Sequence, residues 1–470
     1  MRTTARATCR TRAASTSSRG PSHFGGGRAA GYSSTVTVAK RVAPPVSPHH
    51  RGTRAASTSS RGPSLVVVGG GAAGYFSAVI AKAKAPSMDV LILESSPRTL
   101  GKVRISGGGR CNVTNVESDP VRLAGHYPAG HKELKGPFHR FNSMDMRDWL
   151  EDRGVELKVE PDGRVFPKSN SSETIINCLV SEADRVGVEV RTGCSVTSVA
   201  EGRGGGFHVT TAKEGDIESS HLLLATGSSR AGWGFAKDLG HTIVRPIPSL
   251  FTFKVPERGL RDLAGVSVQD TVCALRTARG KFEQRGPLLV THWGVSGPAV
   301  LKLSAWAARE LSESGYGATL LVDLCPGLES DLELEILRMK KSKYKTPHLP
   351  LSLSGRIPRR LWAFLLGRRG IDAESRYSEV KDAALRGLAR DCRKLELPVQ
   401  GKGPFKEEFV TSGGVDLKEI DLKTMESKLV GGLYFAGEIV NVDGETGGFN
   451  FQNAWTGGFL SGSALAAGLH

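Results

Sequence analysis

The chain has 470 residues, of which 39% are hydrophobic and 23% charged, values typical of a soluble globular enzyme with two or three domains. Its net charge of +16 resembles that of a nucleic-acid-binding protein, but residues 1–63 contain ten Arg, one Lys and no acid. Residues 64–470 therefore carry only +5, which gives no support for nucleic-acid binding, and no nucleic-acid partner is expected.

Residues 1–63 have the composition of an organellar transit peptide. The segment is rich in Arg, Ser and Thr, lacks acidic residues and has few large apolar residues. We therefore exclude it from the fold and expect it to direct the protein to an organelle. A plastid is favoured and a mitochondrion is the alternative; a disordered tail without a targeting role is the other interpretation.

A dinucleotide-binding motif follows directly. Leu65–Val68 is a short apolar run typical of a buried parallel strand, and it leads through a glycine-rich loop into a helix-like segment, Tyr75–Ala85. The glycines interrupt the apolar run, so no membrane span is predicted. The loop residues expected to cradle a pyrophosphate at the helix N-terminus are Gly69, Gly71, Ala72, Ala73 and Gly74.

The next strand supports this interpretation. Asp89–Leu93 leads to Glu94, which follows Gly74 by 20 residues, the spacing at which an acid accepts hydrogen bonds from an adenosine ribose. Its carboxylate also disfavours a ribose 2′-phosphate, because like charges repel. The strand, loop, helix and acid occur in the order of a Rossmann-type α/β fold, but they do not distinguish FAD from NAD.

The C-terminal part of the chain favours FAD. Gly432–Glu438 is a strand ending in Gly437 and Glu438, and Gly447, Gly448 and Asn450 open a helix. In flavoproteins of the glutathione-reductase type, a late acid holds the ribityl chain and the following helix N-terminus faces the flavin N1/C2=O edge, where its dipole stabilises reduced flavin. An intermediate strand, His221–Gly227, ends beside the cofactor at Thr226 and Gly227.

Several blocks resemble one family. They are SGGGRCNVTN at 106–115, GRVFP at 163–167, THWGVSGP at 291–298, TSGGV at 411–415, and the glycines and NFQ of 444–452. With these blocks, residues 64–470 are similar to the BaiN/YhiN-type NAD(P)/FAD-dependent oxidoreductases, also called aminoacetone-oxidase-family FAD-binding enzymes.

The resemblance implies a glutathione-reductase-like, discontinuous FAD domain with an inserted β-barrel-like domain and a small helical domain. The boundaries we predict are 64–245 and 405–470 for the FAD domain, 246–330 for the inserted domain and 331–404 for the helical segment. The basic residues of this helical segment are interpreted as a solvated face rather than a nucleic-acid patch.

The first block is expected to form a turn beside the flavin. Its glycines allow the backbone to approach a flat ring or a phosphate closely. Arg110 would contact phosphate or reduced flavin, or alternatively form a structural salt bridge. Cys111 has no CxxC partner and is interpreted as a packed thiol touching the cofactor. The cofactor-binding residues predicted here are Ser106, Gly107, Gly108, Gly109, Arg110, Cys111 and Asn112.

The expected activity is that of an FAD-dependent oxidoreductase, and no metal-ligand spacing is present. One branch of the resembling family reduces conjugated enones, so hydride transfer from flavin N5 to an activated C=C of a small organic or steroid-like substrate is the leading reaction. Without a second dinucleotide motif, NADH or NADPH, if used, would bind transiently or through the inserted domain. The alternatives are an amine or α-amino-ketone oxidase using oxygen, and an FAD-carrying binding protein without turnover. No catalytic acid or base and no partner protein is assigned.

Overall fold

The computed structural model describes residues 64–277, 280–342, 346–403 and 410–468. The predicted transit peptide at 1–63 lies outside the described residues.

A parallel sheet forms the centre of the first body. Its strands occur in the order β19-β20-β21-β10-β1-β2-β6, and all neighbours from β21 to β6 pair in parallel. Val66 lies opposite both Leu91 and Leu222, and all three are at most 2% exposed, so the apolar runs fill the middle of the sheet. The strands of this sheet are β1 (Leu65–Val68), β2 (Val90–Glu94), β6 (Glu189–Thr192), β10 (His221–Leu224), β19 (Ile420–Asp421), β20 (Glu426–Ser427) and β21 (Leu433–Phe435).

Two long helices, α1 (Ala72–Lys84) and α13 (Phe449–Ala467), pack closely against each other beside the sheet. Gly462 permits this approach, because a Cβ there would lie 2.5 Å from the carbonyl oxygen of Ser77. The hydroxyls of Ser77 and Ser461 also hydrogen-bond across the contact at 2.9 Å. The first and last helices of the described chain are thus joined, as a discontinuous domain requires.

The remaining elements of this body surround the sheet and its helices. Two three-stranded sheets occur in the orders β3-β5-β4 and β7-β8-β9, and β11 pairs with β18. The helices are α2 (Gly101–Gly109), α3 (Pro120–Ala124), α4 (Lys135–Arg140), α5 (Ser143–Glu151), α6 (Ser172–Val186) and α7 (Arg230–Asp238). The strands are β3 (Thr114–Asn115), β4 (Leu157–Val159), β5 (Arg164–Pro167), β7 (Val196–Glu201), β8 (Phe207–Thr211), β9 (Gly215–Ser219), β11 (Ile243–Ser249) and β18 (Val410–Val415).

The second body is a closed barrel with the strand order β12-β15-β14-β13-β16-β17. Its strands are β12 (Phe253–Lys254), β13 (Ser267–Thr277), β14 (Gly280–Thr291), β15 (Gly294–Ser296), β16 (Gly317–Asp323) and β17 (Leu395–Lys402). The α-helices that accompany it in the described part of the chain are α8 (Pro298–Trp306), α9 (Ala308–Glu313), α10 (Leu332–Lys340), α11 (Arg359–Arg368) and α12 (Asp382–Arg393).

The helices between residues 331 and 404 pack against the barrel. Strand β17 follows the helices and closes the barrel, and buried residues of α10 to α12 share one apolar core with the barrel strands. The expectation of a solvated basic face here is only partly met. Arg368 contacts Glu257 at 2.5 Å, and Arg369 forms a two-point pair with Asp391, so these two cations bind within the molecule.

Among the described residues, no helix is both long enough and apolar enough to cross a membrane.

Candidate flavin site

The loop between β1 and α1 has the geometry of a pyrophosphate cradle. Gly69 has a φ of +114°, and a Cβ there would lie 2.4 Å from the oxygen of Ala225, at the end of β10. At Gly74 a Cβ would lie 2.0 Å from the oxygen of Gly69, so only glycine lets the helix begin this close to the strand. By contrast, a Cβ at Gly71 would meet nothing within 4 Å. The loop is therefore tight on its protein side and open at Gly71.

The first turn of α1 supplies donors toward that opening. The N–H groups at a helix start have no partner within the helix, and they carry the positive end of its dipole. Ala72 and Ala73 occupy this turn, and the capping residue Gly71 has no side chain to bond with it. These donors and the open cradle fit a pyrophosphate.

Glu94 lies at the end of the second strand, as predicted. Its Oε2 accepts the N–H of Gly70 at 2.8 Å, and its Oε1 accepts the N–H of Ser96 at 2.8 Å. The two bonds hold the carboxylate beside the cradle. Each carboxylate oxygen can accept more than one hydrogen bond, so a ribose hydroxyl fits here as well.

The ends of β10 and β21 meet at the same edge of the sheet. Gly437, with a φ of +81°, approaches Ala73 so closely that a Cβ there would lie 2.9 Å from the Ala73 Cβ. A Cβ at Gly227 would lie 3.7 Å from Oε2 of Glu438. The hydroxyl of Thr226 is buried beneath this edge and, within the described chain, has no hydrogen-bond partner.

Glu438 contacts residues that were not among the predicted site residues. Its Oε2 forms an ion pair with Lys102, and its Oε1 accepts the N–H of Thr411 at 3.1 Å. Lys102 also donates to the hydroxyl of Ser228 at 2.9 Å. Lys102 precedes the SGGGRCN block and Thr411 begins the TSGGV block, but neither spacing reveals that both reach Glu438.

The SGGGRCN block forms the expected turn at the end of α2. Gly107, Gly108 and Gly109 have φ values of +57°, +70° and +82°, and Ser106 has an extended ψ of 148°. Cys111 is fully buried, and burial raises the pKa of its thiol to about 12. A thiol with this pKa stays protonated at neutral pH, which agrees with a packing role.

The contacts of Arg110 favour the salt-bridge alternative. Its guanidinium donates to Glu160 at 2.6 Å and lies 4.1 Å from the ring centre of Phe166. Both interactions anchor the turn to β5 and the loop before it. A phosphate contact by Arg110 would require this pairing to be shared or broken.

The SGGGRCN block lies directly against the start of α13. The side-chain amide of Asn112 is oriented so that both its oxygen and its nitrogen have a hydrogen-bond partner. In this orientation the oxygen accepts the N–H of Gly448 at 2.9 Å. Asn115 donates to the oxygen of Gly447 at 3.0 Å. Gly448 has a φ of +95°, and a Cβ there would lie 2.4 Å from the oxygen of Thr114. Two blocks more than 300 residues apart in sequence therefore form one structure.

The side chain of Asn450 is used inside its own loop. Its Oδ1 accepts the N–H of Gly444 at 2.8 Å, and its Nδ2 donates to the oxygen of Gly444 at 2.7 Å. The predicted cofactor-binding residue Asn450 thus uses its amide to shape this loop, and its contact with a cofactor stays a prediction. The first N–H groups of α13 have no partner within the helix.

Taken together, these residues fit FAD. The cradle suits the pyrophosphate and Glu94 suits the adenosine ribose, while Glu438 lies beside Gly227 at the same edge of the sheet. Among the described residues there is no group of three or more His, Cys, Asp or Glu that could hold a metal ion.

Comparisons with known proteins agree with this assignment. The family model described as "HI0933-like protein Rossmann domain" matches residues 63–464. The chain is 28% identical over 385 residues to a 3-dehydro-bile acid delta(4,6)-reductase of Clostridium scindens, covering 80% of this chain and 92% of that protein. It is 29% identical over 383 residues to a ribosomal RNA dihydrouridine synthase of Haemophilus influenzae, covering 79% and 90%.

Among solved structures, the open conformation of a flavocytochrome c3 fumarate reductase matches with a TM-score of 0.47 and 17% identity, covering 87% of this chain and 78% of that one. The resemblance to BaiN/YhiN-type enzymes is confirmed by the family match: the chain belongs to the HI0933-like Rossmann-domain family and is an FAD-dependent oxidoreductase.

Proposed function

We propose that the enzyme reduces a C=C bond conjugated to a carbonyl group in a small organic or steroid-like substrate. The observation that carries this proposal is the relative named as a bile acid delta(4,6)-reductase, which aligns over 92% of its own length. The alignment spans both the Rossmann body and the barrel, so the likeness is not confined to the cofactor fold.

The flavin site supports this chemistry. Bound FAD, once reduced, would supply a hydride to the β-carbon of the substrate, and a proton taken up from solvent at the α-carbon would complete the saturated ketone. The first turn of α13 would direct its positive dipole end toward the N1/C2=O edge and stabilise the reduced cofactor. Lys102 balances the charge of Glu438, which otherwise would oppose the negative charge that develops on reduction. NADH or NADPH is the proposed electron donor.

RNA is a second candidate substrate. The Haemophilus influenzae relative is named as a ribosomal RNA dihydrouridine synthase, and the C5=C6 bond of uracil is also conjugated to a carbonyl. The same bond chemistry would therefore serve either substrate. Against an RNA role for the basic helical segment, Arg368 and Arg369 pair with Glu257 and Asp391. We therefore place the small-molecule substrate first.

Anaerobic stopped-flow spectroscopy tests the proposal. The full-length protein would be reduced with NADH or NADPH and then mixed with a steroid 4-en-3-one, its saturated ketone as a matched control, a uridine-containing ribosomal RNA transcript, or oxygen. We expect the enone to reoxidise the flavin and the saturated ketone to leave it reduced. Reoxidation by RNA alone would support the second candidate. Fast reoxidation by oxygen after reduction by an amine would support an oxidase, and failure of every donor would support a binding protein.

A further inference from the structure

A buried carboxylate connects the barrel body to the start of α13. Glu445 is 4% exposed. Its Oε1 lies 2.7 Å from Nδ1 of His126 and 3.2 Å from Nζ of Lys302, and its Oε2 accepts the indole N–H of Trp306 at 3.1 Å. Burial alone would raise the pKa of Glu445, but these contacts lower it below its ordinary value. Glu445 is therefore an ionised group with three polar partners.

These partners come from both bodies. Lys302 and Trp306 lie on α8, whose residues Ala299 and Leu303 are fully buried in the barrel core. His126 lies in the first body, after α3. A side chain in the loop before α13 thus binds a barrel helix and a Rossmann-body residue at the same time.

The same loop is fixed firmly to the first residue of α13. The N–H of Glu445 donates to the oxygen of His126 at 3.0 Å, and the imidazole ring of His126 stacks on Phe449 with 4.1 Å between ring centres. The hydroxyl of Tyr127 donates to the oxygen of Phe449 at 2.6 Å. A shift of Glu445 would therefore move the start of α13.

We propose that Glu445 is a positioning residue through which α8 sets the flavin potential. This inference rests on the proposed placement of the α13 N-terminus at the flavin N1/C2=O edge. Lys302 and Trp306 hold Glu445, Glu445 holds the loop, and the loop aims the first-turn N–H groups of α13. Weakening the hold from α8 would reduce the stabilisation of anionic reduced flavin more than that of oxidised flavin, because only the reduced form carries the negative charge.

The test uses Lys302→Met and Trp306→Phe, which keep most of the side-chain volume and remove one polar contact each. We expect each variant to bind FAD and to lose about tenfold in affinity for reduced relative to oxidised FAD, the size of a strong helix-dipole effect. That loss corresponds to a fall of about 30 mV in the two-electron potential. Lys281→Met is the matched control, because Lys281 forms an exposed ion pair with Glu283 on the barrel surface.

A double-mutant cycle of Lys302→Met with Glu445→Gln separates positioning from a general charge effect. If Lys302 acts through Glu445, the two potential shifts will not add. Parent-like potentials in FAD-bound Lys302→Met and Trp306→Phe would overturn the inference, even if the thermal stability of these variants falls. A contact with only a structural role would lower thermal stability without changing the potential. An equal shift in Lys281→Met would overturn it too. If the parent chain itself binds no FAD, the proposed function fails, and the inference fails with it.

Discussion

Substitution of Gly71, which caps α1, and of Gly74, in its first turn, should affect different properties: FAD binding in the first case and stability in the second. Gly71 has a φ of −90°, which any residue adopts, and open space where its side chain would point. Gly71→Val should therefore lower the unfolding free energy of the apoprotein by only about 1 kcal/mol, the scale of a capping change. It should nevertheless fill the space that the pyrophosphate needs.

The loss in FAD affinity should be large. Blocking two charge-assisted hydrogen bonds from the first turn of α1, at about 1.5–3 kcal/mol each, costs about 3–6 kcal/mol. That is roughly two to four decades in Kd. Gly74→Ala should instead lower the stability of the fold. Its Cβ would lie 2.0 Å from the oxygen of Gly69, and overpacking of this kind costs about 1–3 kcal/mol or more.

Urea denaturation of the apoproteins and FAD titration by flavin fluorescence separate the two effects. We expect Gly71→Val to unfold near the parent midpoint and to bind FAD poorly, and Gly74→Ala to unfold at lower urea. A Gly71→Val protein with parent affinity for FAD would show that the pyrophosphate lies elsewhere.

Three further predictions come from the structure and a fourth from the composition of residues 1–63. Glu438→Ala should weaken FAD binding by roughly one to two decades, through loss of one charge-assisted hydrogen bond of about 1.5–3 kcal/mol; unchanged titration curves would remove Glu438 from the site. Cys111→Ala should retain FAD and both half-reactions within about twofold, since the pKa of about 12 keeps the thiol protonated; a hundredfold slower oxidative half-reaction would make the thiol catalytic. Burial raises the pKa of Asp443 from 3.8 to about 6, so its stabilising protonated form is fully present below pH 3.8 and is lost as pH rises through 6. Asp443→Asn should therefore gain up to about 3 kcal/mol over the parent in urea unfolding at pH 7–8 and lose that advantage near pH 4; a gain independent of pH would contradict this. Finally, we propose that residues 1–63 carry a fluorescent fusion into the plastid, where microscopy would detect it; mitochondrial signal would favour the alternative, and diffuse cytosolic signal would contradict targeting.

Local patterns in the sequence were sufficient to predict the elements of the Rossmann body. The strand at 65–68, the glycine loop, the helix after it and Glu94 at the end of β2 occur where their residue types require. These features depend on neighbours within about 30 residues. The glycine functions could be predicted as well, because tight turns and close backbone approach exclude a Cβ.

Contacts between distant segments could not be predicted in the same way. Nothing near Arg110 in the sequence indicates Glu160, and nothing near Glu445 indicates Lys302. Closure of the barrel by β17 after three helices also escaped the pattern, since a strand that follows a helical segment resembles the start of a new domain. The bonds of Asn450 within its own loop could not be predicted either, because its place in a family block does not tell whether its amide faces a ligand or its own loop.

Binding of FAD in this cradle underlies the proposed function. Its most direct test is to purify the full-length chain, denature it, and identify and quantify the flavin released by chromatography, with the Gly71→Val variant in parallel. We predict one FAD per parent chain and little or none from the variant. A colourless parent that takes up no added FAD, or one that releases FMN, would contradict the account.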